Sequence, residues 1–143
     1  MNRERKEERN IFLWIHLPVW LYMIGIFILS SIPSLRPPDL GFEPQDKLYH
    51  LVFYIPFGYL VARSVSVQNL FPSLKKRYWI YGILFGILYG ISDEMHQYFV
   101  PGRIMSVWDM VADSLGVSLG VLLFHHRNRL LKYMHRNADG MTG

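Results

Sequence analysis

The chain contains no cysteine. That excludes a disulfide framework, a thiolate metal site and a cysteine nucleophile. It also lacks an HExxH run, a serine elbow and any phosphatase-like signature, so none of the familiar hydrolytic devices is spelled out. A third absence concerns charge. From Ile11 to Ile32 the only residue able to carry one is His16. A helix of a soluble bundle carries a polar stripe along its whole length, and this run has none.

What is present is apolar sequence in blocks. Four stretches stand out, Ile11 to Ile32, Leu48 to Val67, Tyr78 to Val100 and Val107 to Phe124. Mean hydropathy is only +0.14, because the charges gather in the tails and connections. A bilayer-crossing helix needs about 20 mainly apolar residues. The first and third stretches clear that length, the fourth is short, and Arg63 interrupts the second near one end, where its long side chain can snorkel. The expectation is one all-α membrane domain over residues 1–143, with four transmembrane helices at about 11–32, 48–67, 78–100 and 107–124. The N-terminus mimics a signal peptide, but its apolar run exceeds the usual h-region and no small-x-small site follows, so it reads as an uncleaved first span.

Lysine and arginine set the orientation. Arg3, Arg5, Lys6 and Arg9 precede the first span. Arg63, Lys75, Lys76 and Arg77 lie at the second connection, and Arg127, Arg129, Lys132 and Arg136 follow the fourth span. Only Arg36, Lys47 and Arg103 lie in the first and third connections. Both termini are therefore expected in the cytoplasm, with the bilayer as partner. The basic residues are split among short segments without a binding motif, so no nucleic-acid partner is expected. Acids show the opposite bias. Asp39, Glu43, Asp46, Asp93, Glu94, Asp109 and Asp113 fall on or near the outer side. A carboxylate that reaches the bilayer centre costs roughly 2.5–3.5 kcal/mol on translocon scales, and a chain that keeps several together has a use for them.

Helical spacing of about 100° per residue sorts these groups into faces. On the third span Gly82, Gly86 and Gly90 share a face that Asp93, Glu94 and Gln97 continue, with His96 at its margin. On the fourth, Asp109, Ala112, Asp113, Gly116 and Gly120 share one face. Small-x-x-x-small tracks let helices approach closely in lipid. The connection Pro101 to Ser106 is short, so these spans are expected to form an antiparallel hairpin packed through its glycines, with both acid groups at one depth. On the second span Asp46, Lys47, His50 and Tyr54 fall together at the same outer end, and Pro56 is expected to bend the helix after them. Arg103, in the Pro-Gly turn above, has two readings open: neutralising Asp93, Glu94 or Asp109, or gripping an anionic group bidentately. The bland alternatives are a structural hydrogen-bond cluster, glycines that only serve packing, and Trp and Tyr as interfacial anchors.

The combination Asp46-Lys47-x-x-His50-x-x-x-Tyr54, Asp93-Glu94-x-His96-Gln97-x-x-x-Pro101-Gly102-Arg103, Ser106-x-x-Asp109 and Gly116-x-x-x-Gly120 resembles the VanZ-like family. The match runs from about Ser31 to Leu123. The resemblance implies a small multi-pass protein of the bacterial plasma membrane, a cell-envelope setting and a link to resistance against the glycopeptide teicoplanin. The family commonly has asparagine where this chain has Asp113, which implies an extra charge or a proton shared between Asp109 and Asp113.

The leading functional expectation is an outward polar site that binds or gates a cell-envelope or lipid-linked ligand, a glycopeptide among the possibilities. The alternatives are an intramembrane enzyme acting on a lipid-linked substrate, its acids and histidines doing acid–base work or holding a divalent ion, and proton-coupled movement of a lipid or solute. Whether the chain is an enzyme is left open, and no cofactor or metal is assigned. The cysteine-free background permits a direct topology test. In intact cells an impermeant maleimide should label Met105→Cys and should reach Lys76→Cys only after permeabilisation. The reverse pattern overturns the orientation.

Overall fold

The computed structural model describes residues 3–35, 38, 39, 41 and 45–140. Arg36 and Glu43, read above as outer-side charges, lie outside the described residues, as do the side chains of Arg3, Arg5 and Asp139. Among the described residues the regular elements are all helical. In chain order they are α1 (Arg3–Ile11), a π-helical turn (Phe12–His16), α2 (Leu17–Ser30), α3 (Gln45–Val67), a short α4 (Pro72–Lys76), α5 (Tyr78–Gln97) and α6 (Val107–Gly140). The π turn has a local cause. Pro18 lacks an N–H and its ring crowds the carbonyl one turn back, and widening the preceding turn relieves both effects. His16 then reaches Ser64 Oγ on α3 through Nδ1 at 2.7 Å.

Among the described residues three helical stretches are long and apolar enough to cross a membrane: Arg9–Ser30, Gln45–Val67 and Val107–Ala138. This differs from the sequence expectation in two places. The stretch at 78–100 ends its helix at Gln97. Three glycines, three tyrosines and the run Asp93, Glu94, His96, Gln97 dilute its apolarity below that of the other three. The stretch at 107–124 instead belongs to a helix of 34 residues, about 51 Å long at 1.5 Å per residue. Leu, Arg, Lys and Met beyond Phe124 are good helix formers, so the helix continues through the basic tail. The outer surfaces of α2, α5 and α6 expose large aliphatics such as Ile24, Ile28, Leu88 and Leu122. A contiguous apolar surface of this kind suits a lipid environment.

The centre of the bundle is the pairing of α3 with α6, with α5 against both and α2 at the periphery. Phe57, Val61 and Ala62 of α3 meet Val117, Val121 and Phe124 of α6 in one core. Lipid tails are as apolar as these side chains, so close packing rather than water exclusion holds such an interface. Gly120 has the closest approach: a Cβ there would strike the Ile55 carbonyl and come within 2.7 Å of the Tyr59 nitrogen. Gly116 meets the Leu51 carbonyl and Tyr54 Cβ in the same way. The expected glycine-on-glycine hairpin is therefore corrected. The α6 glycines open onto α3, while Gly82, Gly86 and Gly90 of α5 face Val121, Val117 and Asp113 of α6 together with Ala62 and Tyr54 of α3. A glycine track admits whichever backbone or bulky side chain lies opposite, and α3 lies opposite α6.

Gly120→Ala should therefore separate α3 from α6 and destabilise the protein by about 1–3 kcal/mol, the usual range for overpacking. Gly25→Ala, whose Cβ would meet nothing within 4 Å, should be close to neutral. Thermal unfolding of the two variants in detergent makes the comparison.

Candidate functional site

Three helices deliver polar side chains to one end of the bundle. The first turns of α3 bring Asp46, Lys47 and His50, with Tyr54 below. The last turns of α5 bring Asp93, Glu94 and Gln97, and the first turns of α6 bring Asp109 and Asp113. Asp93, Glu94, Gln97, Asp109 and Asp113 are buried. They continue the same helix faces as the buried glycines 82, 86, 90, 116 and 120, so the tracks that allow close approach also bring the acids together.

His50 stands at the middle. Its Nδ1 donates to Asp113 Oδ1 at 3.0 Å and lies 3.8 Å from Glu94 Oε1. Its Nε2 lies 3.9 Å from Asp109 Oδ2. The imidazole thus stands between Asp109 and Asp113, the pair expected to carry an extra charge or to share a proton. Lys47 Nζ reaches Asp109 Oδ1 at 2.9 Å and also pairs with the half-exposed Asp46. Gln97 Nε2 donates to Asp93 Oδ2 and Glu94 Oε1, each at 3.2 Å. Tyr54 is buried with its ring edge against Phe57. Its Oη and Asp113 Oδ2 have no hydrogen-bond partner among the described residues.

Ser106 is a residue that the sequence reading missed as a site contributor. Its Oγ accepts from the Asp109 N–H at 3.3 Å, which caps the start of α6. Its own N–H donates to Glu94 Oε2 at 3.0 Å. The signal was legible as Ser-x-x-Asp ahead of an apolar run, but its second bond depends on where α5 ends.

His96 and Arg103 do not join the cluster. His96 Nε2 meets Ser31 Oγ at 2.9 Å, and its ring lies on Phe27 with centroids 4.7 Å apart. Arg103 Nη2 donates to the Leu29 carbonyl at 2.7 Å and Nε to that of Ile32 at 3.3 Å. Leu29 lies in the last turn of α2 and Ile32 two residues past its end, where carbonyls run short of the helix's regular partners. Neither role expected for Arg103, neutralising the acids or gripping an anion, matches this placement. The turn itself is stapled to the chain after α2: Ser34 N donates to the Pro101 carbonyl at 3.2 Å. Gly102 has φ +75° and sits where a Cβ would collide with Ser34, so the Pro-Gly-Arg motif works as a clamp.

A family model described as VanZ/LLP1 matches residues 9–131, a span that contains every residue of the cluster and the clamp. The chain belongs to the VanZ/LLP1 family. An uncharacterized protein of Schizosaccharomyces pombe is 29% identical over 135 residues, covering 83% of this chain and 74% of its own length. No solved structure matches. Membership of the VanZ/LLP1 family and three membrane-length apolar helices among the described residues together describe a VanZ-like membrane protein.

Arg103→Gln should lower stability by about 1–2 kcal/mol, the lower part of the range for charged hydrogen bonds because the side chain is part-exposed. Limited proteolysis should then cut first between α2 and α3. A variant as stable as wild type would remove the clamp.

Proposed function

We propose that residues 1–143 form one domain that crosses the plasma membrane four times, α5 included, with both termini cytoplasmic. The polar cluster then lies at the outer face and binds or gates the polar head of a lipid-linked or cell-envelope molecule. One observation carries this reading: three buried carboxylates from two helices, Glu94, Asp109 and Asp113, converge on His50 and Lys47 of a third, with Asp93 joined to Glu94 through Gln97. Buried acids in membrane segments are costly, and a purely structural network would leave fewer of their oxygens and the Tyr54 hydroxyl without partners.

The charge balance narrows the ligand. The acids outnumber Lys47 and His50, and Arg103 is turned to α2. A bare anionic head would be repelled. A head rich in hydroxyl or amine donors, as in a glycolipid or glycopeptide, complements the acceptors. His50 also favours a second reading, acid–base chemistry on such a lipid-linked substrate, because its two nitrogens face different carboxylates.

The test is teicoplanin and vancomycin susceptibility of a Gram-positive host expressing wild type or Asp109→Asn at equal membrane level. The expected result is a selective teicoplanin shift that the variant loses. An equal shift in both would overturn the site, and no shift in either would remove the glycopeptide from the proposal. Turnover of a lipid-linked substrate by the purified protein, lost in His50→Gln, would favour the enzymatic reading.

A further inference from the structure

The geometry points to a divalent-cation site formed by His50, Glu94 and Asp109, one donor atom from each. These atoms lie within 4.8 Å of one another, and two of the three residues are buried. Neighbouring ligand atoms around a tetrahedral zinc ion are about 3.3–3.6 Å apart, from metal–ligand distances of about 2.0–2.2 Å. The set closes on an ion by up to about 1.5 Å at its widest separation, within the reach of side-chain rotation.

Each donor is available in a specific way. The His50 Nδ1–H is held by Asp113, which leaves the Nε2 lone pair free on the side of Asp109 Oδ2. A carboxylate that fixes the far ring nitrogen is the usual outer-shell support of a metal-bound histidine. Lys47 occupies Asp109 Oδ1, and Oδ2 is the oxygen turned to the ring. The Ser106 N–H fixes Glu94 Oε2, while Oε1 takes a 3.2 Å bond from Gln97 and lies 3.8 Å from the Nδ1 edge of the His50 ring.

A second observation comes from a residue outside the triad. Asp113 is fully buried, yet its Oδ2 has no partner among the described residues, although its Oδ1 is bonded to the same imidazole. A buried, unpaired carboxylate oxygen costs several kcal/mol unless something compensates it. A dication one imidazole away compensates Asp113 together with Glu94 and Asp109, where Lys47 alone does not. One imidazole with carboxylate oxygens suits Mn²⁺ or Zn²⁺ better than Mg²⁺. The sequence reading assigned no metal because the three residues lie on three helices and form no spaced motif.

This inference does not rest on the lipid-linked reading, since the ion can be measured without any other ligand. The experiment uses full-length protein purified in detergent, stripped with a chelator and titrated with Mn²⁺. Free Mn²⁺ is followed by electron paramagnetic resonance, bound Zn²⁺ by elemental analysis after repletion, and thermal unfolding is recorded in parallel. One ion per chain is expected, with a rise of several degrees in Tm. Glu94→Gln and Asp109→Asn should each weaken binding at least tenfold, whereas Asp39→Asn, an exposed acid outside the cluster, should bind as wild type does. Wild type that takes up no ion and shows no Tm shift overturns the site. So do variants that bind like wild type. If the triad variants fail to fold, the wild-type and Asp39→Asn titrations still decide it.

Discussion

The close approach of α6 to α3 is the constraint on which the rest depends. At Gly116 and Gly120 the α6 backbone lies against the Leu51 and Ile55 carbonyls of α3, with no room for a side chain. That contact sets the depth and rotation of the pair. One turn above Leu51 is Lys47, and one to two turns before Gly116 are Asp113 and Asp109. The same register that seats the glycines therefore aligns Lys47 with Asp109 and His50 with Asp113. α5 then fits through Gly86 onto Val117, which carries Asp93, Glu94 and Gln97 to the same level. In lipid no water-driven force draws helices together, so shape has to specify the arrangement, and residues without side chains supply the shape.

Polar chemistry and clamping are handled by different residues at this end of the molecule. The acids, His50 and Lys47 form one connected group. Arg103, His96, Ser31 and Ser34 form another, which ties the end of α2 to the α5–α6 turn. The second group uses its cation on main-chain carbonyls, and this leaves the first group rich in acceptors and poor in positive charge. On electrostatic grounds that imbalance is the basis for proposing donors and cations, rather than anions, as its ligands.

Family membership names an architecture, and the relative in Schizosaccharomyces pombe is itself uncharacterized, so the functional argument comes from the site. A hydroxyl- or amine-bearing head and a divalent ion answer the same electrostatic demand. They are also compatible: an ion held by His50, Glu94 and Asp109 would let the site accept anionic groups that the bare carboxylates repel.

The sequence by itself determined what lies within one helix. Apolar length marked the membrane-type segments, and a period of 3.6 placed Gly82, Gly86 and Gly90 on the face of Asp93, Glu94 and Gln97, and Gly116 and Gly120 on that of Asp109 and Asp113. These are local properties, and every one of those residues is buried. Apolar length was a weaker guide to boundaries, since α6 runs on through a basic tail whose residues are polar yet helix-forming. The tertiary structure alone decided partners: the α6 glycines against α3, His50 between Asp109 and Asp113, Ser106 on Glu94, and Arg103 on the carbonyls of α2. Each joins positions distant in the chain, and its geometry depends on the rotation and depth at which two helices meet. Those are set by packing across the whole interface, and no spacing within a single segment encodes them.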